Sequence, residues 1–182
     1  MACFRGTNNP IKQAIMILSR KLSDALNEQI TAEMWSANLY MSMYTHFVVL
    51  GLDGCAHWMR KQSEEELDHA YQLIDYSLKR GGQVTISPLN SVPTAWGSPL
   101  EIFEHVYKHE TYISERIDAL MDLATEEKDK ATQEFLWCFV REQVEEEATA
   151  KHIAEKLKSY GENHIALLDP LLGKRASEKN RE

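Results

Sequence analysis

Glu33, Glu66, His69, Glu110, Gln143 and Glu146 stand where the sequence otherwise repeats apolar residues at alternating spacings of three and four. One repeat runs Leu26, Ile30, Glu33, Ala37, Tyr40, Tyr44, Phe47, and a second Met59, Gln62, Glu66, His69, Leu73, Tyr76. A third runs Phe103, Val106, Glu110, Ile113, Ile117, Leu120, Ala124, and a fourth Leu136, Phe139, Gln143, Glu146, Ala150, Ile153, Leu157. Such stripes mark the face a helix turns to its partners. Each is interrupted near its middle by groups that are costly to bury. Four carboxylates crowded together would have to take up protons. Two divalent cations remove the conflict, because four carboxylates, a neutral imidazole and two doubly charged ions sum to zero. Glu66 and His69 lie three apart on one helix face and can hold one ion between them. The oxygen-rich donor set suits iron or manganese better than a soft-ligand metal such as Cu(I).

The spacing also says how the groups meet. An offset of 77 residues carries Glu33, Glu66 and His69 onto Glu110, Gln143 and Glu146. Helices are expected at 19–50, 55–80, 99–127 and 130–160, with a short fifth at 164–171 that Pro170 and Gly173 close. The tight turn Gly51-Leu52-Asp53-Gly54 makes the first pair an antiparallel hairpin, and the polar turn Glu126–Lys130 makes the last pair another. Ser98-Pro99 is a helix start signal. Between Gly81 and Pro99 lie Gly82, Pro88, Pro93 and Gly97, so no helix survives there. That connection is long enough to run the length of a bundle about 40 Å tall. Glu33 and Glu66 are equidistant from the first turn, and Glu110 and Gln143/Glu146 from the last, so all can share one level. The fold class is all-α: a four-helix bundle with one long crossover between the second and third helices plus a short fifth helix.

Composition narrows the function. The 182 residues suit one domain, 43% are apolar and 26% charged, and 28 acidic against 20 basic residues leave a net charge of −8. Duplex binding rests on neutralising phosphates, so no nucleic acid is expected as partner. The longest apolar run near residue 50, Phe47–Leu50, is far short of the roughly 20 residues of a membrane span, so no membrane either. Cys3, Cys55 and Cys138 are scattered without metal or disulfide spacing, and the expected location is cytoplasmic. Residues 1–17 lack helical periodicity and a signal-peptide core, and Met16 directly precedes the first periodic segment. They are read as an N-terminal extension, disordered or the product of an upstream start. The domain is expected over 18–172, with 173–182 as a mobile tail.

Over about residues 18–170 the sequence resembles the ferritins, and most closely the bacterial non-haem ferritins. The resemblance rests on Leu26-Asn27-Glu28-Gln29-Ile30 leading to Glu33, on Glu64-Glu65-Glu66-Leu67-Asp68-His69, on Lys108-His109-Glu110, and on Glu142-Gln143-Val144-Glu145-Glu146-Glu147. Helix-borne dinuclear carboxylate sites are a known property of ferritin-like bundles. The resemblance implies that Glu33, Glu66 and His69 hold one iron and Glu66, Glu110 and Glu146 the other. Glu66 would bridge and Gln143 lie beside the pair. Tyr40 would be a hydrogen bonder to the ligands or a one-electron donor, against the plainer reading of an ordinary core tyrosine. A third iron position would take Glu65, Glu142, Glu145 and the shared Glu146. The implied function is iron storage with ferroxidase activity: Fe2+ oxidised by O2 or H2O2, and ferric mineral kept inside a hollow 24-subunit homo-oligomer. Leu67 follows the bridging glutamate where a haem-binding bacterioferritin has methionine, and Gln143-x-x-Glu146 replaces a second ligating ExxH, so no haem is expected.

Two relatives of this architecture compete. A rubrerythrin-like peroxide reductase would bring a Cys-rich electron-donor module, which this sequence lacks. A DNA-protecting mini-ferritin would place its ligands between subunits and often carries a basic tail. His46, His57, His105, His109, His152 and His164 lie mostly off the stripes and are read as surface residues, with His109 notable beside Glu110. Trp137 and Cys138 flank the last stripe and are read as packing residues.

Overall fold

The computed structural model describes residues 17–161 and 165–178. It contains α1 (Arg20–Leu50), α2 (Asp53–Lys79), α3 (Pro99–Glu126), α4 (Lys130–Tyr160) and α5 (Ile165–Glu178), with no strand among the described residues. The N-terminal extension, apart from residue 17, lies outside the described residues, as do Cys3 and His164.

Local chemistry sets the helix ends. The Ser19 hydroxyl accepts from the Leu22 amide at 3.0 Å and starts α1. Gly51, at φ 69°, ends it in the left-handed conformation that a helix C-terminus favours. Ser98 and Glu101 form a reciprocal capping box ahead of Pro99 at the start of α3. In the turn between α3 and α4 the left-handed position falls to Lys128 at φ 58°, and the Asp129 carboxylate accepts from the Thr132 amide at 3.1 Å. Asp129 also accepts from Arg80 at 2.9 Å, which ties this turn to the far end of α2.

α1 pairs with α2 and α3 with α4. The link from 80 to 98 runs along α1. Near one end Asn27 donates to the Gln83 carbonyl at 2.8 Å and accepts from the Thr85 amide at 2.8 Å. Farther along, Ser42 donates to the Pro93 carbonyl at 2.6 Å and accepts from Trp96 at 3.0 Å. Asn27 and Ser42 are 15 residues apart on one helix, roughly 22 Å at the usual rise. The link is therefore a longitudinal crossover.

The fifth helix departs from expectation. It continues to Glu178, with Pro170 inside it and Gly173 passed without a break, so the start of the expected tail is helical. Tertiary packing overrides both breakers. Leu168 and Leu172 are buried in the core, and Asp169 accepts from the Cys55 amide at 2.7 Å. Gly173 faces Gly54 so closely that a Cβ on Gly173 would stand 3.4 Å from the Gly54 Cα. Here glycine serves close helix approach instead of helix termination.

The apolar core is divided in two. One part gathers Tyr40, Met43, Phe47, Trp58, Phe103 and Ile153 with their neighbours. The other gathers Leu22, Leu26, Leu73, Ile117, Leu136 and Phe139 with theirs. The layer between them is polar. Two packing expectations are corrected: Met43, not Tyr44, takes the fully buried place on α1, and Trp137 is half exposed, while Cys138 does pack against the second cluster.

Candidate metal centre

The polar layer is formed by Glu33 of α1, Glu66 and His69 of α2, Glu110 of α3, and Gln143 and Glu146 of α4. Glu33 and Glu110 are 1% exposed, Glu66 is 4% exposed and Gln143 is also buried. Glu33, Glu66 and Glu110 lie in mid-helix on their stripes, where neither solvent nor a helix terminus can take their charge. One oxygen of Glu33, one of Glu66 and one nitrogen of His69 all lie within 4.8 Å of one another. His69 Nδ1 is 3.6 Å from a Glu66 oxygen, while its Nε2 is 3.3 Å from Glu142. Among the described residues no other three acidic, histidine or cysteine groups converge so tightly. Glu110 and Glu146 stand close enough to Glu66 that their charges act on it.

Three of the four carboxylates in the layer have a dedicated donor. Tyr40, fully buried, donates to Glu110 Oε1. Gln143 donates to Glu110 Oε2 at 3.2 Å, so its amide faces the Glu110 carboxylate. Gln62 donates to Glu146 at 2.9 Å, and Gln29 donates to Glu33 Oε1 at 2.7 Å. Glu33 Oε2 is different: it is buried and has no hydrogen-bond partner. An oxygen left without a donor, on a buried carboxylate that stands against a glutamate and an imidazole, is suited to a cation.

Electrostatics agrees with that fit. Burial, and then the charge of Glu66, pushes the Glu33 carboxyl well above its ordinary range. Burial does the same to Glu66, reinforced by Glu110 and Glu146. Burial drives Glu110 up to about 7 against the hydrogen bonds from Tyr40 and Gln143. The Tyr40 phenol is raised by burial and by Glu110, so it remains a donor. Burial disfavours the imidazolium of His69, but Glu142 and Glu33 outweigh it and its pKa is raised. Without cations the layer must hold protons, and divalent ions are the charges that would replace them.

Beside His69 opens a cavity of about 270 Å3 lined by Glu65, Asp68, Gln72, Glu142, Glu145 and Glu146. It brings together the four residues of the expected third position. Asp68 and Gln72 escaped sequence reading, although their spacing from Glu65 puts them on the same face of α2. Gln29 was also missed, and its signal was its place one turn before Glu33. The surface reading of the histidines needs correcting. His109 is 7% exposed, accepts from or donates to Ser36 at 2.8 Å, and is held neutral by burial, its pKa pushed down to about 4. His46 and His57 each have a buried Nε2, and His105 is half-buried against Trp96. His152 is exposed as expected.

Comparison with known proteins follows the same lines. A family model described as a ferritin-like domain matches residues 23–160. A bacterial non-heme ferritin of Bacteroides fragilis is 57% identical over 159 residues, covering 87% of this chain and 100% of the relative. One from Campylobacter jejuni is 37% identical over 147 residues, 81% of this chain and 88% of the relative. Among solved structures, an open pore ferritin from the hyperthermophilic archaeon Archaeoglobus fulgidus superposes with a TM-score of 0.83 at 48% identity, covering 86% of this chain and 96% of that one.

Proposed function

Since this chain belongs to the ferritin family of iron-storage proteins, we propose that its polar layer is a ferroxidase centre at which stored iron is first oxidised. Glu33, Glu66 and His69 hold one substrate Fe2+, and Glu66, Glu110 and Glu146 the second, with Glu66 shared. The observation that carries the reading is the buried Glu33 carboxylate, which stands within 4.8 Å of Glu66 and His69 and has one oxygen, Oε2, without a hydrogen-bond partner.

The chemistry follows from charge. Protons held by Glu33, Glu66 and Glu110 leave as Fe2+ arrives, and the carboxylates then favour Fe3+ over Fe2+ because the same anions bind the higher charge more strongly. Two Fe2+ give up one electron each. O2 takes both with two protons to become H2O2, or H2O2 takes both with two protons to become two waters. Tyr40 and Gln143 keep Glu110 oriented through this change of charge. Glu65, Glu142, Glu145 and Glu146, around the cavity beside His69, form a third cation position on the route in or out of the centre. The family likeness extends the reading to a homo-oligomeric shell of 24 subunits in the cytoplasm, with ferric mineral inside. Convergence of the ligands within one chain favours this over a site shared between subunits.

The test is aerobic Fe2+ oxidation by the wild type against the Glu33→Ala/His69→Ala double variant. The fast initial phase, two irons per chain, is expected to disappear from the variant. Equal initial rates at two irons per chain would end the proposed role of these residues.

A further inference from the structure

Glu33 is held differently from the other ligands. Its Oε1 accepts from the Gln29 amide nitrogen at 2.7 Å, and Gln29 in turn accepts on its amide oxygen from Arg116 Nε of α3 at 2.8 Å. A guanidinium can only donate. The Gln29 oxygen must therefore face Arg116, and its NH2 must face Glu33. A flipped amide would set donor against donor and acceptor against acceptor in a place where Gln29 is fully buried. Arg116 is itself held on the Tyr112 ring, 5.7 Å from the centroid, with a further hydrogen bond to the Tyr112 hydroxyl at 3.3 Å. The chain of contacts starts at the wall of a cavity of about 570 Å3 between α1, α3 and the crossover, and it ends on one oxygen of the centre.

We propose that Arg116, acting through Gln29, is a positioning residue that locks the Glu33 carboxylate and fixes Oε2 as the atom it offers to the metal. The inference rests on the polar layer being a metal centre. With Arg116 absent, the Gln29 amide can turn over, Oε1 loses its fixed donor, and Glu33 is free to rotate away from Glu66 and His69. Loss of a partner that orients a metal ligand typically lowers metal affinity by about 10–100-fold.

Anaerobic titration of the metal-free assembled protein with Co2+, followed by visible absorption, tests this. Arg116→Met and Gln29→Met are each expected to weaken binding by about tenfold and to change the intensity of the absorption bands. Arg116→Lys, which keeps a donor toward Gln29 but loses the planar fork held on Tyr112, is expected to lose less affinity than Arg116→Met. Because the two residues act in series, the Arg116→Met/Gln29→Met double variant is expected to lose no more than either single variant. Folded single variants with wild-type affinity and spectrum, or losses that add in the double variant, would overturn the proposal. Should Arg116→Met not fold, Gln29→Met against Arg116→Lys decides by the same criteria. A wild type without Co2+ bands, or a Glu33→Ala variant that binds as the wild type does, would instead defeat the reading of the layer as a metal centre.

Discussion

Replacing Glu110 by glutamine should stabilise the metal-free protein at alkaline pH while weakening its hold on metal. Glu110 is 1% exposed, and burial, helped by the charge of Glu146, raises its carboxyl from the ordinary 4.5 to about 7. A raised carboxyl pKa means that the folded state binds the proton more tightly than the unfolded chain. Its contribution to stability is thus fully present below about 4.5 and is lost as the pH rises through about 7. At about 1.4 kcal/mol per tenfold, the loss is roughly 3 kcal/mol at pH 8.5. Glutamine carries no charge and escapes it. Against this, its NH2 would meet the Gln143 NH2 that now donates to Glu110 Oε2, and repairing that contact costs about 1 kcal/mol. The net gain of about 2 kcal/mol corresponds to a melting temperature about 4–8 °C higher for a chain of this length. Calorimetry of chelator-treated wild type and Glu110→Gln at pH 5 and pH 8.5 measures it. The advantage should be present at pH 8.5 and absent at pH 5. A variant that melts no higher than the wild type at pH 8.5, or whose advantage is the same at both pH values, would refute the electrostatic account of the layer.

Tyr40→Phe removes the donor to Glu110 Oε1 and is expected to lower metal-free stability by about 1–2 kcal/mol and to slow the first phase of Fe2+ oxidation, seen in melts and ferric absorbance. Asp129→Ala deletes both the α4 cap and the buried partner of Arg80, and should cost about 3–5 kcal/mol at pH 7 by urea denaturation. Burial opposes the charge on Asp129, but the Arg80 and Thr132 hydrogen bonds outweigh it and hold the carboxyl below 3.8. The contribution of Asp129 is therefore present above 3.8 and lost as the pH falls through the lowered value, so the deficit of the variant should shrink in acid. Gly54→Ala would place a methyl 1.7 Å from the Asp169 carbonyl, which belongs to backbone and cannot swing aside. α5 is expected to detach, with faster proteolysis between α4 and α5 and a loss of about 1–3 kcal/mol.

The bundle was legible because its signals are local. Helix starts at Ser19 and Ser98, the stop at Gly51 and the alternation of three and four depend on near neighbours in the chain. The interrupted stripes also revealed Glu33, Glu66, Glu110, Gln143 and Glu146, since a polar or charged group on a buried stripe is visible without knowing what it faces. Residues at the stripe's margin were not legible. Over some 30 residues the helical period drifts from the 3.5 of the repeat, and the facing helix decides whether Met43 or Tyr44 turns inward. His109 was misjudged for the same reason: it lies off the stripe of α3, and Trp35, Ser36 and Tyr40 of α1 cover it.

Alternating apolar spacings, two internal hairpins and the offset of 77 residues were enough to determine four helices and the level at which their acidic groups meet. Tertiary structure alone decided how those groups are held: that Arg116 reaches Gln29, that Gln29 occupies one oxygen of Glu33, and that the other is left without a donor. It also decided that Gly173 lies inside a helix against Gly54. The physical reason is the same in both cases. Periodicity fixes the face on which a side chain lies, whereas hydrogen-bond direction and close backbone approach depend on a partner helix far away in the sequence.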